Sequence, residues 1–178
     1  LVKILSGFGC KLIANDIVEN KELLKQYGVS YTDLNTLCTE SDFIIISVPL
    51  TSDTHHLIDA SCIALMKKNV MLINIARGAV VKTADVMDAL DKKHIGWYGT
   101  DVYEHEHGIF FYNHSLHPPK DTMLKKMIAH PKVLLTPHQA FATDEALINI
   151  ASTTINAFTF WETEQSLPYE LTSIKEKV

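Results

Sequence analysis

The chain has 178 residues, of which 47% are hydrophobic and 21% charged, so it can bury a core and fold as a globular protein. This composition excludes disorder, and 16 basic against 21 acidic residues without a basic cluster argue against a nucleic-acid partner. No apolar run approaches the roughly 18 residues that span a bilayer, so no membrane partner is expected. The three cysteines, Cys10, Cys38 and Cys62, are too few for a disulfide framework and predict reduced core thiols in a cytoplasmic protein.

The first residues already follow a helical pattern. Apolar side chains recur at helical spacing with no capping residue before them, at Leu1, Ile4, Leu5 and Phe8. Gly7 and Gly9 then end the helix. We therefore expect that an N-terminal portion of the protein precedes Leu1.

The rest of the chain alternates predicted strands with predicted helices. The strands are expected at residues 10–15, 29–31, 43–48, 70–75, 95–100 and 133–135, and the helices at 20–27, 32–38, 59–66 and 83–93. A last helix begins near Thr143 and carries a stripe expected to be buried, formed by Leu147, Ile150, Ala151, Ile155, Phe158 and Trp161. Because strands 43–48 and 70–75 are apolar throughout, the pattern predicts an α/β fold with a parallel sheet covered on both faces.

Polar residues follow the predicted strands where a site is expected. Ligands of open α/β sheets bind beyond the carboxyl ends of the strands. Five such ends carry Asp16, the segment Pro49-Leu50-Thr51, Arg77, Asp101 and His138. Glu104 and Glu106 lie shortly after Asp101, at the start of a long irregular segment, 103–120, of a length that is usually functional.

Each of these residues also has a structural interpretation. Asp16 suits the ribose-binding acid of a dinucleotide fold, but equally a turn or helix cap. Arg77 suits a bidentate carboxylate contact, or is a surface arginine. His138 is a structural histidine unless Glu104 or Glu106 pairs with it, which would make an acid/base dyad.

The histidines of the long segment suggest a rival site. His105, Glu106, His107, His114 and His117 could bind a metal ion. Zinc sites prefer ligands held at tight spacing by defined elements, and this segment is a loop without cysteine. We therefore expect a surface loop there and no metal.

Taken together, five segments resemble the D-isomer-specific 2-hydroxyacid dehydrogenases, and most closely their fermentative NAD-dependent D-lactate branch. The resemblance covers nearly the whole chain. It rests on Gly7-Phe8-Gly9-Cys10-Lys11-Leu12-Ile13-Ala14-Asn15-Asp16, Val48-Pro49-Leu50-Thr51, Asn74-Ile75-Ala76-Arg77-Gly78, Asp101-Val102-Tyr103-Glu104-His105-Glu106 and Thr136-Pro137-His138-Gln139-Ala140-Phe141. The aromatic insertion Phe110-Phe111-Tyr112 is what favours the D-lactate branch, and Phe141 would be an aromatic wall of the pocket.

The resemblance implies a Rossmann-type doubly wound parallel sheet that lacks its first strand and glycine fingerprint, followed by a long C-terminal helix. It implies an NAD-binding domain over 1–141, and a helix and tail over 142–178 that return to a substrate domain. The implied catalytic residues are Arg77, which binds the substrate carboxylate, and His138, which is kept protonated by Glu106. NAD would contact Asp16, Val48, Pro49, Thr54, Ile75, Ala76, Arg77 and Asp101.

The implied activity is hydride transfer between NAD(H) and a small D-2-hydroxy acid or 2-keto acid, with D-lactate and pyruvate as the expected pair. The complete protein is expected to be a homodimer, and this chain alone to be inactive. Two alternatives stay open: an NAD-sensing corepressor-like binding module, and a dehydrogenase for another D-2-hydroxy acid.

Overall fold

The computed structural model of the chain describes residues 1–163. They belong to two compact units, one of residues Leu1–His138 and one that starts at Gln139. No helix among the described residues is long and apolar enough to cross a membrane.

Strands and helices alternate along the first unit, as the sequence predicts. The strands are β1 (Ile13–Ala14), β2 (Ser30–Tyr31), β3 (Phe43–Ile46), β4 (Val70–Asn74), β5 (Ile95–Thr100) and β6 (Val133–Leu135). The helices are α1 (Val2–Ser6), α2 (Lys21–Tyr27), α3 (Leu34–Glu40), α4 (Ala60–Leu65), α5 (Thr83–Asp91) and α6 (Thr122–Ala129), and a single 3₁₀ turn covers Gly78–Val80. The second unit contains α7 (Asp144–Glu162).

All strand pairs are parallel, and they form two sheets. β1 pairs with β2, and the order of the larger sheet is β3-β4-β5-β6. In that sheet Ile46 lies opposite Asn74, which lies opposite Thr100, which lies opposite Leu135. The carboxyl ends of the four strands therefore meet at one edge, so the residues that follow them can form a common site.

The two faces of the larger sheet differ in burial. One face carries side chains that are nearly inaccessible, among them Ile44, Leu72 and Tyr98. On the other face Phe43, Trp97 and Leu134 are exposed. The sequence predicts that both faces of the sheet are covered, but only one face is fully covered. The described elements leave the apolar side chains of the other face in contact with solvent.

Helix starts are fixed by side-chain caps. Asn20 accepts hydrogen bonds from Glu22 N and Leu23 N at the start of α2, and Asp33 accepts one from Thr36 N in α3. Gly28 ends α2 with a φ of 66°, a left-handed conformation that favours glycine. Helix α6, which the sequence pattern does not predict, has a cap of the same kind, since Asp121 accepts a hydrogen bond from Leu124 N.

Two sequence predictions about burial are wrong. Cys38 and Cys62 are buried with their Sγ atoms 3.2 Å apart, but Cys10 is exposed, because it follows α1 in a turn outside the core. The apolar stripe of α7 is likewise exposed: Ile155, Phe158 and Trp161 keep 63%, 64% and 71% of their accessible surface. No described residue of α7 is buried.

Candidate active site

An open cleft lies where β3 and β4 end. Its volume is about 670 Å³. The lining comes from the ends of the two strands and the residues after them, Ser47, Val48, Pro49, Leu50, Ile75, Ala76 and Arg77. Five of these seven are residues for which the sequence predicts NAD contacts, and Ser47 and Leu50 are additions to that set. The volume falls in the range of about 300–1,000 Å³ that small-molecule and cofactor sites occupy.

The loop after β3 is held by two threonines. Thr54 Oγ1 donates to the Pro49 carbonyl at 2.6 Å and accepts from Thr51 N at 2.8 Å. These local bonds replace a regular turn and fix the segment that forms one wall of the cleft. Thr54 therefore shapes the cleft from behind Pro49, although it does not line it.

Arg77 lies on a turn built by the buried side chain of Asn74. Asn74 Oδ1 accepts from Ala76 N at 3.0 Å, and its Nδ2 donates to the Arg77 carbonyl at 2.9 Å. The guanidinium is exposed and donates through Nη1 to the Ala76 carbonyl at 2.7 Å. Since a guanidinium carries five N–H donors, four others remain for a ligand in the cleft.

Glu106 and His138 form the hydrogen-bonded pair that the resemblance implies. His138 Nδ1 lies 2.8 Å from Glu106 Oε1, and the two side chains keep 28% and 23% of their surface. The other carboxylate oxygen of Glu106 accepts from Tyr103 N at 2.9 Å. Both carboxylate oxygens of Glu106 are thus engaged. Because Nδ1 of the His138 ring faces Glu106, Nε2 is the nitrogen that faces outward.

The backbone of His138 is held in a strained conformation. Its φ is 51°, in the left-handed region, which costs a non-glycine residue about 1–3 kcal/mol. His138 N donates to the carbonyls of Asp101 and Thr136, at 2.6 and 3.0 Å, and the Thr136 hydroxyl donates to the Asp101 carboxylate. The ends of β5 and β6 therefore impose this conformation, and Asp101 contributes to it.

Glu104, the second candidate partner of the histidine, binds elsewhere. Its Oε1 lies 2.6 Å from His56 Nε2, and its Oε2 accepts from Thr83 N at 3.0 Å. Burial raises the pKa of Glu104, but the hydrogen bonds from the Thr83 backbone and from His56 outweigh it, so this pKa lies below its usual value. Glu104 is therefore ionised near neutral pH and committed to these two partners.

Asp16 lies apart from the cleft, after the end of β1 in the smaller sheet. Its carboxylate is exposed and accepts from Val18 N at 3.2 Å. This contact is that of a turn aspartate. It does not conflict with the predicted ribose contact, because a carboxylate has further lone pairs to offer.

The long segment between β5 and α6 divides between core and site. Phe110 is buried and packs against Tyr103, with ring centroids 6.4 Å apart. The ring of Phe111 lies 5.8 Å from that of His138. Its histidines do not assemble around a metal: His114 contacts the carbonyls of Ile109 and His117, and no group of three or more ligating side chains occurs within residues 1–163.

The residues present fit a nicotinamide dinucleotide. The apolar walls of the cleft, Val48 with Pro49 and Ile75 with Ala76, suit the flat faces of an aromatic ring. Arg77 supplies a charge at the rim, and a separate carboxylate, Asp16, stands at the end of a strand in the other sheet, where hydroxyl groups of a ribose could be bound.

Comparison with known proteins gives a consistent result. The family model described as D-isomer specific 2-hydroxyacid dehydrogenase, NAD binding domain, matches residues 1–140. The D-lactate dehydrogenase of Escherichia coli is 39% identical over 171 residues, which are 96% of the chain and 52% of that protein. The 2-hydroxyacid dehydrogenase homolog 2 of Schizosaccharomyces pombe is 39% identical over 151 residues, covering 85% of the chain and 45% of that protein.

Solved structures agree. A D-lactate dehydrogenase from Treponema pallidum superposes with a TM-score of 0.91 at 32% identity, covering 97% of the chain and 51% of that structure. The D-lactate dehydrogenase of Lactobacillus jensenii, solved with NAD⁺, has a TM-score of 0.89 at 30% identity, again over 97% and 51%. The chain thus spans about half the length of the relatives it matches. The predicted Rossmann-type fold and the prediction of NAD as cofactor are confirmed.

Proposed function

Because the chain belongs to the D-isomer-specific 2-hydroxyacid dehydrogenase family, whose NAD-binding domain it matches, we propose that the complete protein interconverts a D-2-hydroxy acid and a 2-keto acid. The substrate pair we assign is D-lactate and pyruvate. The observation that carries the proposal is the Glu106–His138 pair at 2.8 Å, next to a cleft whose rim holds Arg77. The names of the relatives from Escherichia coli and Treponema pallidum support the choice of lactate.

The cleft residues Val48, Pro49, Ile75 and Ala76 would hold NADH, which when bound would supply the hydride for the carbonyl carbon of the keto acid. Arg77 binds the carboxylate of the substrate through two parallel N–H bonds, which fixes the orientation of the carbonyl. Nδ1–H of His138 donates to Glu106, so the proton that His138 transfers to the carbonyl oxygen, as negative charge develops there, is the Nε2 proton of the imidazolium form. Glu106 orients the ring through its bond to Nδ1, which leaves Nε2 to face the substrate.

The aromatic segment supports a small substrate. Phe111 stands beside His138, at a ring distance of 5.8 Å, and would narrow the space around the reacting carbonyl. A methyl group, as in pyruvate, fits such a site more readily than a branched or aromatic side chain. A higher kcat/KM for a bulkier 2-keto acid than for pyruvate would identify a dehydrogenase for a larger 2-hydroxy acid.

The proposal is tested by turnover of the complete protein. NADH consumption should be followed with pyruvate and with bulkier 2-keto acids, and the reverse reaction with D- and L-lactate. We expect the highest kcat/KM with pyruvate and oxidation of D-lactate only. Absence of turnover together with measurable NADH binding would instead favour the corepressor-like binding module.

We further propose that the complete protein is a homodimer of the cytoplasm and that the 178-residue chain alone is inactive. The exposed apolar side chains Phe43, Trp97 and Phe158 support the last point, since such surfaces promote association. Sedimentation of the complete protein and a turnover assay of the chain alone test these statements.

A further inference from the structure

Three segments that carry candidate site residues converge on one partly buried carboxylate. Residues 51–58 carry Thr54, residues 77–83 carry Arg77, and residues 101–106 carry Asp101 and Glu106. Glu104 belongs to the third segment and binds the first through His56 Nε2, at 2.6 Å, and the second through Thr83 N, at 3.0 Å. Its side chain keeps only 14% of its surface.

The contact with Thr83 is a helix cap supplied from a distant part of the chain. Helix α5 begins at Thr83, and the preceding residue, Lys82, makes no side-chain cap. The first N–H groups of a helix lack partners within it and favour negative charge. Glu104 therefore fixes the start of α5, and with it the end of the segment that follows Arg77.

The contact with His56 fixes the first segment against the second. His56 has a left-handed φ of 52°, and its N donates to the Ala79 carbonyl at 2.8 Å. Ile58 continues this pairing through bonds to Val80 and Lys82, at 3.1 and 2.9 Å. The hydrogen bond between the His56 imidazole and the Glu104 carboxylate adds a side-chain contact to this backbone pairing.

The third segment is packed against the second without space to adjust. A Cβ added at Gly78 would lie 2.0 Å from the carbonyl carbon of Tyr103 and 2.3 Å from Glu104 N. The peptide that carries Glu104 thus rests directly on the residue after Arg77. The N–H of Tyr103 in the same segment donates to Glu106, the partner of His138.

We propose that Glu104 is a positioning residue, whose carboxylate binds His56 and the start of α5 together and so fixes Arg77 relative to the Glu106–His138 pair. The inference rests on the proposed function, because it assigns the residue that sets the geometry of that same site. Glu104 does not touch substrate. Its shape and its two hydrogen bonds matter more than its charge, since an amide can accept from Thr83 N and donate to His56.

The first test is steady-state kinetics of the complete protein with pyruvate and NADH. In Glu104→Ala, KM for pyruvate should rise about tenfold and kcat fall about tenfold, because a displacement of about 1 Å can cost a hundredfold in rate. Glu104→Gln should stay within about fivefold of the parent kcat/KM. The double variant His56→Ala/Glu104→Ala should lose no more than Glu104→Ala alone, since both changes remove one coupled unit.

The control is Asp33→Ala, which removes the side-chain cap at the start of another helix, α3. It should lower the thermal midpoint and leave KM and kcat unchanged. If Glu104→Ala lowers the thermal midpoint as Asp33→Ala does but keeps kcat/KM within twofold per folded molecule, Glu104 is only a cap and the proposal is wrong.

Hydrogen exchange provides a readout that does not depend on activity. In Glu104→Ala, amides of residues 54–58 and 79–84 should exchange at least tenfold faster, whereas those of 34–40 should not change; Asp33→Ala should show the reverse. If the parent protein reduces no 2-keto acid, the proposed function fails, and this pattern still decides the positioning role. Unchanged exchange at 54–58 would overturn it.

Discussion

Replacing Glu106 by Gln tests the assignment of the ion pair most directly, because the change removes a charge and keeps the shape. Glu106 uses one oxygen for Tyr103 N, at 2.9 Å, and the other for His138 Nδ1, at 2.8 Å. A glutamine has a single oxygen. If that oxygen keeps the bond to Tyr103 N, the amide NH₂ faces Nδ1, which must then accept a hydrogen bond, so the ring is neutral with its proton on Nε2.

The expected loss follows from the geometry. Two unit charges about 4 Å apart interact by about 4 kcal/mol at the effective dielectric constant of about 20 that suits protein sites. The exposure of both side chains, 28% and 23%, lowers this figure somewhat. Because each ~1.4 kcal/mol corresponds to a factor of ten in rate, kcat/KM for reduction should fall by about 100- to 1,000-fold.

The assay is NADH consumption by the complete protein with pyruvate, together with NADH binding by fluorescence and the thermal midpoint. Both of the latter should stay near the parent values, since the Tyr103 bond is kept. Asp88→Asn, which removes the charge of an exposed pair with Lys92, is the matched control and should have no effect on kcat/KM. A loss of less than threefold in Glu106→Gln would refute the role of the pair.

Three further predictions concern other residues. Gly78→Ala should lower the free energy of unfolding by about 3 kcal/mol in denaturant titrations, because the new Cβ meets the Tyr103 backbone, whereas Gly99→Ala, whose nearest neighbour is a side chain at 3.8 Å, should cost about 1 kcal/mol or less. Asp16→Ala should shift the ratio of kcat/KM for NADPH over NADH upward by at least about tenfold, since the carboxylate repels a 2′-phosphate; an unchanged ratio contradicts this contact. Burial raises the pKa of Tyr98 to about 12, so between about pH 10 and 12 the folded state holds its proton while the unfolded chain loses it. The free energy of unfolding should therefore fall by about 3 kcal/mol across that pH range, and it should fall less in Tyr98→Phe.

The elements that could be predicted from the sequence are those whose signal is local. Strands β3 and β4 lie within largely apolar runs, and α5 has an apolar stripe. Helix α6 is not predicted, because its cap, Asp121, closely follows Pro118 and Pro119 at the end of a long irregular segment. The periodicity of the sequence could not show that one face of the sheet and the apolar side chains of α7 are exposed. An apolar pattern shows which environment a side chain favours, but not which element packs against it.

The candidate site divides in the same way. Residues that line the cleft directly follow strands, so the rule that ligands bind beyond strand ends locates Pro49 and Arg77 without any coordinates. Only the family resemblance predicts a role for Thr54. In the structure, its hydrogen bond to the Pro49 carbonyl holds the loop that lines the cleft.

The two glutamates after β5 could not be distinguished from residue types alone. Both follow β5 within a few residues and both are acidic, and only the resemblance favours Glu106. The backbone separates them physically: Tyr103 N binds Glu106 and so turns that side chain toward His138. Thr83 N, at the start of a helix 21 residues earlier, binds Glu104 and turns it toward His56. The selection is made by two backbone N–H groups, which no side-chain pattern records, and this is why a variant that keeps hydrogen bonding but removes charge should affect the two glutamates so differently.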